Sequence, residues 1–246
     1  MKKLIINADD FGYSRAVTYG ILDSYKIGIL TSTTMMMNTP ATEHAAEMAK
    51  ENPGLGIGVH LVLTFGRPLL DTHKTIIDEN GNFKKLSFYE NNNFEIDLDE
   101  VYKEWKAQIE KYLSYGLIPT HLDSHHHINS FGELYTVYLR LAEEYNLPVR
   151  NNFSNLKNIN SNVKTTDLFH MEYKEALEDI NSIAAIFEKY DSVEVMTHPS
   201  YLDKFIMENS SFNLPRLDET AFLTDAVRVK EFKGSTLFDL VTYGEL

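Results

Sequence analysis

The sequence predicts an α/β protein folded as one barrel-like domain over residues 1–246. Three observations carry that expectation. Short apolar runs alternate with stretches of helical periodicity along the whole chain. A length of 246 residues suits one large α/β domain. No internal repeat, linker or low-complexity boundary interrupts the alternation.

In chain order, residues 4–8 read as a buried first strand, and residues 14–27 as a helix with Ala16, Val17, Ile21 and Leu22 on one face and Ser14 as its cap. Residues 29–37, rich in Thr and Met, form the second strand, and a short helix over 42–51 is stopped by Asn52-Pro53-Gly54. Residues 57–63 are the third strand, and "EIDLDEVYKEWKAQIEKYLSYG" is a long amphipathic helix ending at Gly116. A strand over 120–124 and a helix over 132–145 follow. Residues 148–152, a polar tract and a helix over 174–190 continue the pattern. "VEVMTHP" is a late strand, and "EFKGSTLFDLV" reads as a closing turn and helix. The asparagine-rich stretches around Asn91 and Asn158 are expected to be loops.

Composition narrows the function. The net charge is −13 with no long basic stripe to offset it, which argues against nucleic acid or an anionic membrane as partner. The chain has no cysteine, so thiolate catalysis and Cys-ligated zinc are excluded, and any metal must sit on His and carboxylates. The apolar run at the start is too short for a signal peptide and no later run suits a membrane span. A cytoplasmic location is expected.

Chemistry collects at the strand ends. The first strand ends "NADDF", the third carries "GVH" with His60, a later one carries "HLDSHHH", and the last ends "MTHP" with His198. In parallel α/β folds functional groups sit at the carboxyl ends of strands. Of nine histidines, four fall between His121 and His127, and alternation along an extended chain lets only some of them face one site. Gly56 and Gly58 share a face with His60 and leave room for a close approach to the backbone. There is no G-x-S-x-G elbow, P-loop, Rossmann fingerprint or H-E-x-x-H. The pattern points to an Asp/His metal site. His44, His73 and His170 are expected to be structural or solvated, and His126 to cap or pack.

Taken in order, "NADDFG", "GILTSTTMMMN", "GIGVHLVLTFGRPL", "PTHLDSHHHIN", "VEVMTHPSYLD" and "LPRLDETAFLTD" resemble the YdjC-like carbohydrate deacetylases, the family that includes chitooligosaccharide deacetylase. The resemblance spans nearly the whole chain and is weakest over residues 71–97. It implies a distorted (β/α) barrel related to the polysaccharide deacetylases, a divalent metal, magnesium in this family, and removal of N-acetyl groups from amino sugars or short chitooligosaccharides. It also implies a homodimer. By the family pattern the metal ligands are Asp10, His60 and His125, Asp9 is the general base and His198 the general acid.

Elementary chemistry agrees with those roles. One carboxylate and two imidazoles leave coordination positions open for water and an acetyl oxygen. On softness grounds they also suit zinc or another transition metal. His121 and Asp123 are expected to support the ligands, because a ligating imidazole commonly donates its other N–H to a carboxylate. Arg216 is expected to fix Asp9 or an anionic substrate group, or to form a surface salt bridge. Two rival readings are a metal-independent glycosidase using paired carboxylates such as Asp9 and Asp123, and a non-enzymatic sugar- or metal-binding regulator. Residues 71–93, with the Asn80-Gly81 turn and Phe83, Phe88 and Tyr89, either cover the site or anchor a loop to the core.

Overall fold

The computed structural model describes residues 1–91, 93–153 and 162–246. Seven parallel strands form one sheet: β1 (Lys2–Phe11), β2 (Ser32–Met36), β3 (Gly56–Leu61), β4 (Leu122–Ser124), β5 (Leu168–His170), β6 (Ser192–Thr197) and β7 (Phe238–Leu240). The order is β4-β3-β2-β1-β6-β5. β7 lies beside the first residues of β1, Lys2 to Leu4, while β2 takes over from Asn7 onward. The sheet curls towards closure between its edges. Val149 bridges to Leu122 and its N–H donates to Lys164 O at 2.9 Å, close to the start of β5. The result is a distorted, incompletely hydrogen-bonded α/β barrel.

Alternation sorts the side chains into two layers. Leu4, Ile6 and Ala8 of β1, with Val193 and Val195 of β6, belong to the main apolar core shared with the surrounding helices. The other face looks into the barrel and is polar: Asn7 and Asp9, Ser32 and Thr34, His60, Asp123 and Glu194 are all buried. Such a lining needs internal partners for every group, because an unpaired buried polar atom is costly.

Most helices fall where the periodicity puts them. The helix Arg15–Lys26 is capped by Ser14, whose side chain accepts from Val17 N–H, and Thr42–Glu51 has its expected bounds. In Leu98–Ser114 the buried face includes Val101, Trp105, Ile109 and Tyr112. The same face carries Glu104 and Gln108, which hold the loop after β3 by accepting from Leu69, Leu70 and Val62 N–H. His73 pairs with Glu104 at 3.0 Å, a structural role as expected.

Several segments differ from expectation. The helix expected over 174–190 is two helices, Tyr173–Ala176 and Ile180–Phe187, because the Asp179 side chain accepts from Ser182 N–H and starts a new one. The closing turn and helix expected over 231–241 is instead the end of helix Ala226–Lys233 followed by β7. The strand β5 and the helices Lys204–Asn209 and Pro215–Leu223 had no forecast. The loop expected around Asn158 lies outside the described residues, which omit 154–161. Among the described residues no helix is long and apolar enough to cross a membrane.

Candidate functional site

The carboxyl ends of β1, β3, β4 and β6 open into a cavity of about 660 Å³ whose walls include Asp9, Asp10, His60, His125, His198 and Arg216. All five residues expected to carry the chemistry, and Arg216, therefore meet at one mouth.

Adjacent aspartates on a strand should point to opposite faces. Two local features bring both here. The pairing of β1 with β2 shifts register between Ala8 and Phe11, and Asp10 adopts φ of 74°. That left-handed conformation costs a non-glycine residue roughly 1–3 kcal/mol, least for Asp and Asn. Gly12, with φ of 86°, completes the bend.

Asp10 Oδ1, His60 Nε2 and His125 Nδ1 form a compact triangle. Its sides are 2.9 Å between Asp10 and His125, 3.3 Å between Asp10 and His60, and 3.3 Å between the two imidazoles. Donors bound to one ion at about 2.1 Å stand roughly 3.0–3.4 Å apart in octahedral or tetrahedral arrangements, so these three atoms fit a shared cation. The electrostatics point the same way. Asp9, Asp10 and Asp123 are buried around only two guanidinium groups, Arg150 and Arg216, and Arg150 also serves Glu194. Burial works against charge on His60, yet Asp123, Asp10 and Asp9 outweigh it and push its pKa up to about 10. The position between the ligands calls for positive charge.

The imidazole of His60 is held from behind. Its Nδ1 lies 2.6 Å from Asp123 Oδ1, and since a carboxylate can only accept, Nδ1 carries the proton and Nε2 is left to face the triangle. Asp123 is held in turn by Thr34 Oγ1, which donates to Oδ2 at 2.8 Å, and by Arg150 at 3.1 Å. Asp123 thus stands directly behind His60, on the side away from the triangle. His121 lies elsewhere: it stacks on Tyr243 with ring centres 3.8 Å apart, and its Nδ1 meets Thr120 Oγ1. Gly58 makes that possible, since a Cβ there would stand 2.6 Å from His121 Nδ1.

Asp9 sits on the other side of the triangle. Arg150 clamps it with two bonds, Nη1 to Oδ2 at 2.8 Å and Nη2 to Oδ1 at 2.6 Å. Burial pushes the Asp9 carboxyl up, but the Arg150 guanidinium overrides it and holds Asp9 far below the ordinary carboxylate range. His198 Nε2 lies 3.8 Å from Asp9 Oδ2. Burial in the cavity wall pulls the His198 imidazole down to about 4, against the opposing effect of Asp9.

Arg216 was open to three expectations: fixing Asp9, fixing an anionic substrate group, or a surface salt bridge. It is buried, and it donates from Nη2 to Asp10 Oδ2, not to Asp9, at 2.6 Å. Burial raises the Asp10 carboxyl, and Arg216 with His125 more than reverses it. The arginine on Asp9 is Arg150, which sequence reasoning passed over. It lies in a stretch read only as part of the β/α alternation, and a charged residue next to the apolar Val149 was the available signal. The histidine run divides its labour. His125 joins the triangle, whereas His126 and His127 take φ of 57° and 52° and turn the chain away, with His126 Nδ1 2.9 Å from Thr64 Oγ1.

The segment 71–93 has one described residue in the cavity wall, Leu86. Phe83 and Tyr89 are buried, and Phe88 packs against the core, so the aromatic side chains anchor the loop.

Comparison with known proteins adds relatives to this geometry. The family model described as YdjC-like protein matches residues 3–232. A carbohydrate deacetylase of Clostridium beijerinckii is 39% identical over 99% of this chain and 100% of its own length. A carbohydrate deacetylase of Listeria monocytogenes is 40% identical with the same coverage. A solved Enterococcus faecalis protein, provisionally described as a cellobiose-phosphate cleavage protein, is 33% identical with a TM-score of 0.88, covering 99% of this chain and 98% of its own.

Proposed function

Since the chain belongs to the YdjC-like protein family, we propose that it is a carbohydrate deacetylase that hydrolyses N-acetyl groups of amino sugars or short chitooligosaccharides with one divalent metal ion. The observation that carries the metal is the triangle of Asp10, His60 and His125, with the Asp9–His198 pair beside it. Magnesium suits the family resemblance and zinc the ligand types. When bound, the cation polarises the amide carbonyl and acidifies the attacking water.

The residues of the chain do the rest. Asp9, kept ionised by Arg150, accepts the proton as the water oxygen attacks the acetyl carbon. That contact with Arg150 keeps the carboxylate charged at neutral pH and so available as an acceptor. His198 is neutral there and lies 3.8 Å from Asp9, so it is placed to receive that proton. It then delivers it to the nitrogen as the C–N bond breaks, leaving acetate and a free amino sugar.

The paired-carboxylate glycosidase is disfavoured by burial. Asp123 is fully enclosed, with Oδ1 on His60 and Oδ2 on Thr34 and Arg150, and has no path to a glycosidic bond. The test is an acetate-release screen over N-acetylated mono- and oligosaccharides, with and without phosphate. Mg²⁺ or Zn²⁺ is restored to metal-stripped protein beforehand. Metal-dependent acetate release is expected. New reducing ends without acetate, undiminished by chelation, would replace the proposal with a glycosidase, and no turnover of any substrate would leave a binding protein.

A further inference from the structure

Beneath the site the barrel interior holds a second group of polar and charged residues, of which the deacetylation chemistry above uses only Arg150. Arg150 is completely buried and shared among three carboxylates. Its Nε donates to Glu194 Oε1 at 2.9 Å, while its two Nη atoms take both oxygens of Asp9. The other oxygen of Glu194 accepts from the Tyr243 hydroxyl. Of these carboxylates only Asp9 lines the cavity.

Tyr243 is delivered there by deliberate-looking backbone architecture. β7 runs beside the start of β1, Val241 N–H donates to Leu4 O, and a short 3₁₀ turn, Tyr243–Glu245, folds across the barrel floor. Thr242 and Glu245 cap that turn reciprocally, and Tyr243 N–H donates to Ser32 Oγ. Gly56 leaves the space, because a Cβ there would stand 2.7 Å from the Thr242 Cβ. The ring then lies flat on His121 and presents its hydroxyl to Glu194.

A guanidinium on a long side chain can present its fork in several directions, and an anchor at Nε selects one. Glu194 is that anchor, and the Tyr243 hydroxyl removes the freedom of Glu194 to rotate. Burying three carboxylates on one arginine is expensive compared with an apolar filling, so stability alone is a poor reason for the arrangement. We propose that Glu194 and Tyr243 are positioning residues that act through Arg150 to hold Asp9 in the orientation from which it takes the proton of the attacking water. This rests on the deacetylase reading above.

The test uses Tyr243→Phe, which keeps the ring on His121 and removes only the hydroxyl. Loss of one hydrogen bond to a charged group should lower kcat by about 10-fold, with KM and Zn²⁺ affinity by calorimetry unchanged. Arg150→Lys should lower kcat further. Adding Tyr243→Phe to Arg150→Lys should then change little, because both act on one path. Additive losses, a parent-like kcat in Tyr243→Phe, or an equal fall in Zn²⁺ affinity would overturn the proposal. Should Tyr243→Phe fold poorly, Glu194→Gln tests the same path, with the same split between kcat and KM expected. A readout independent of turnover is solvent exchange of the Arg150 Nε–H by NMR, which should quicken about 10-fold in either variant as the anchor loosens. Unchanged exchange would sink the proposal whatever the substrate proves to be. Acetate release by the parent, measured separately, tests the deacetylase reading on its own.

Discussion

Asp9 and Asp10 are neighbours in the chain and each meets an arginine, but the regions on either side of them are built to different ends. Under Asp9 lies the barrel interior. Arg150 there is fully enclosed and binds Asp9, Asp123 and Glu194 together, so Asp9 has both oxygens committed. Beside Asp10 lies the rim. Arg216 comes from the helix Pro215–Leu223, takes only the Oδ2 oxygen of Asp10, keeps Nη1 without a partner among the described residues, and leaves Oδ1 to the two histidines. One carboxylate is fixed and the other is presented. In the proposed reaction this is the difference between a base, which must be oriented, and a ligand, which must keep an oxygen free.

The sharpest way to break that comparison is to neutralise each aspartate. Asp9→Asn should retain the metal and lose turnover by about 10²–10⁴-fold, the loss expected of a general base. Asp10→Asn should lose metal affinity by calorimetry, with turnover partly restored at high metal concentration. The reverse pattern would exchange the two roles. A smaller effect is expected one step back, where Asp123→Asn should weaken metal binding about 10–100-fold by loosening His60. Undiminished affinity there would show that the 2.6 Å contact does not orient the imidazole.

Metal addition offers a third measure. A cation at about 100 times its Kd should stabilise the native state by about 2.7 kcal/mol, read as a rise in melting temperature. Asp10→Asn should abolish that rise and Asp9→Asn should keep it. The smallest effect belongs to the loop over the rim. Leu86→Ala should change KM less than about 10-fold, the scale of a small apolar contact, and leave metal affinity alone. Large changes in kcat would give the 71–93 loop a part in the chemistry that its buried aromatics do not suggest.

The difference between interior and rim also sets what could be read in the sequence. Asp10, His60, His125, Asp9 and His198 were legible because each stands at the end of a strand with a period-two pattern, and strand ends converge in parallel folds. Arg150 was not, because its one local signal, a charge beside the apolar Val149, does not say that this arginine crosses the barrel to a residue 141 positions away. Glu194 was nearer to hand. In "VEVMTHP" it falls on the same side of the alternation as His198, and that alternation alone places it on the inward face. The contact of Arg216 with Asp10 is hidden for the same reason as that of Arg150 with Asp9: ion pairing over long sequence separation has no periodic signature. β7 was read as helix because three residues carry too little pattern to separate the two.

The pairing of β7 with β1 has a consequence for the order of folding. Residues 2–4 are made well before residues 238–240, yet the two segments are neighbours in the sheet. Contacts of such sequence separation form late, because the loop they close must first lose its freedom. The strands β1, β2 and β3 can pair as they emerge, but the floor of the barrel waits for residues 238–245 and with them Tyr243. A nascent chain therefore carries an acidic interior open at the bottom, and the carboxylates stay hydrated until Arg150 and then Tyr243 arrive. Desolvation of Asp9, and with it the machinery around it, is among the last events in the making of the molecule.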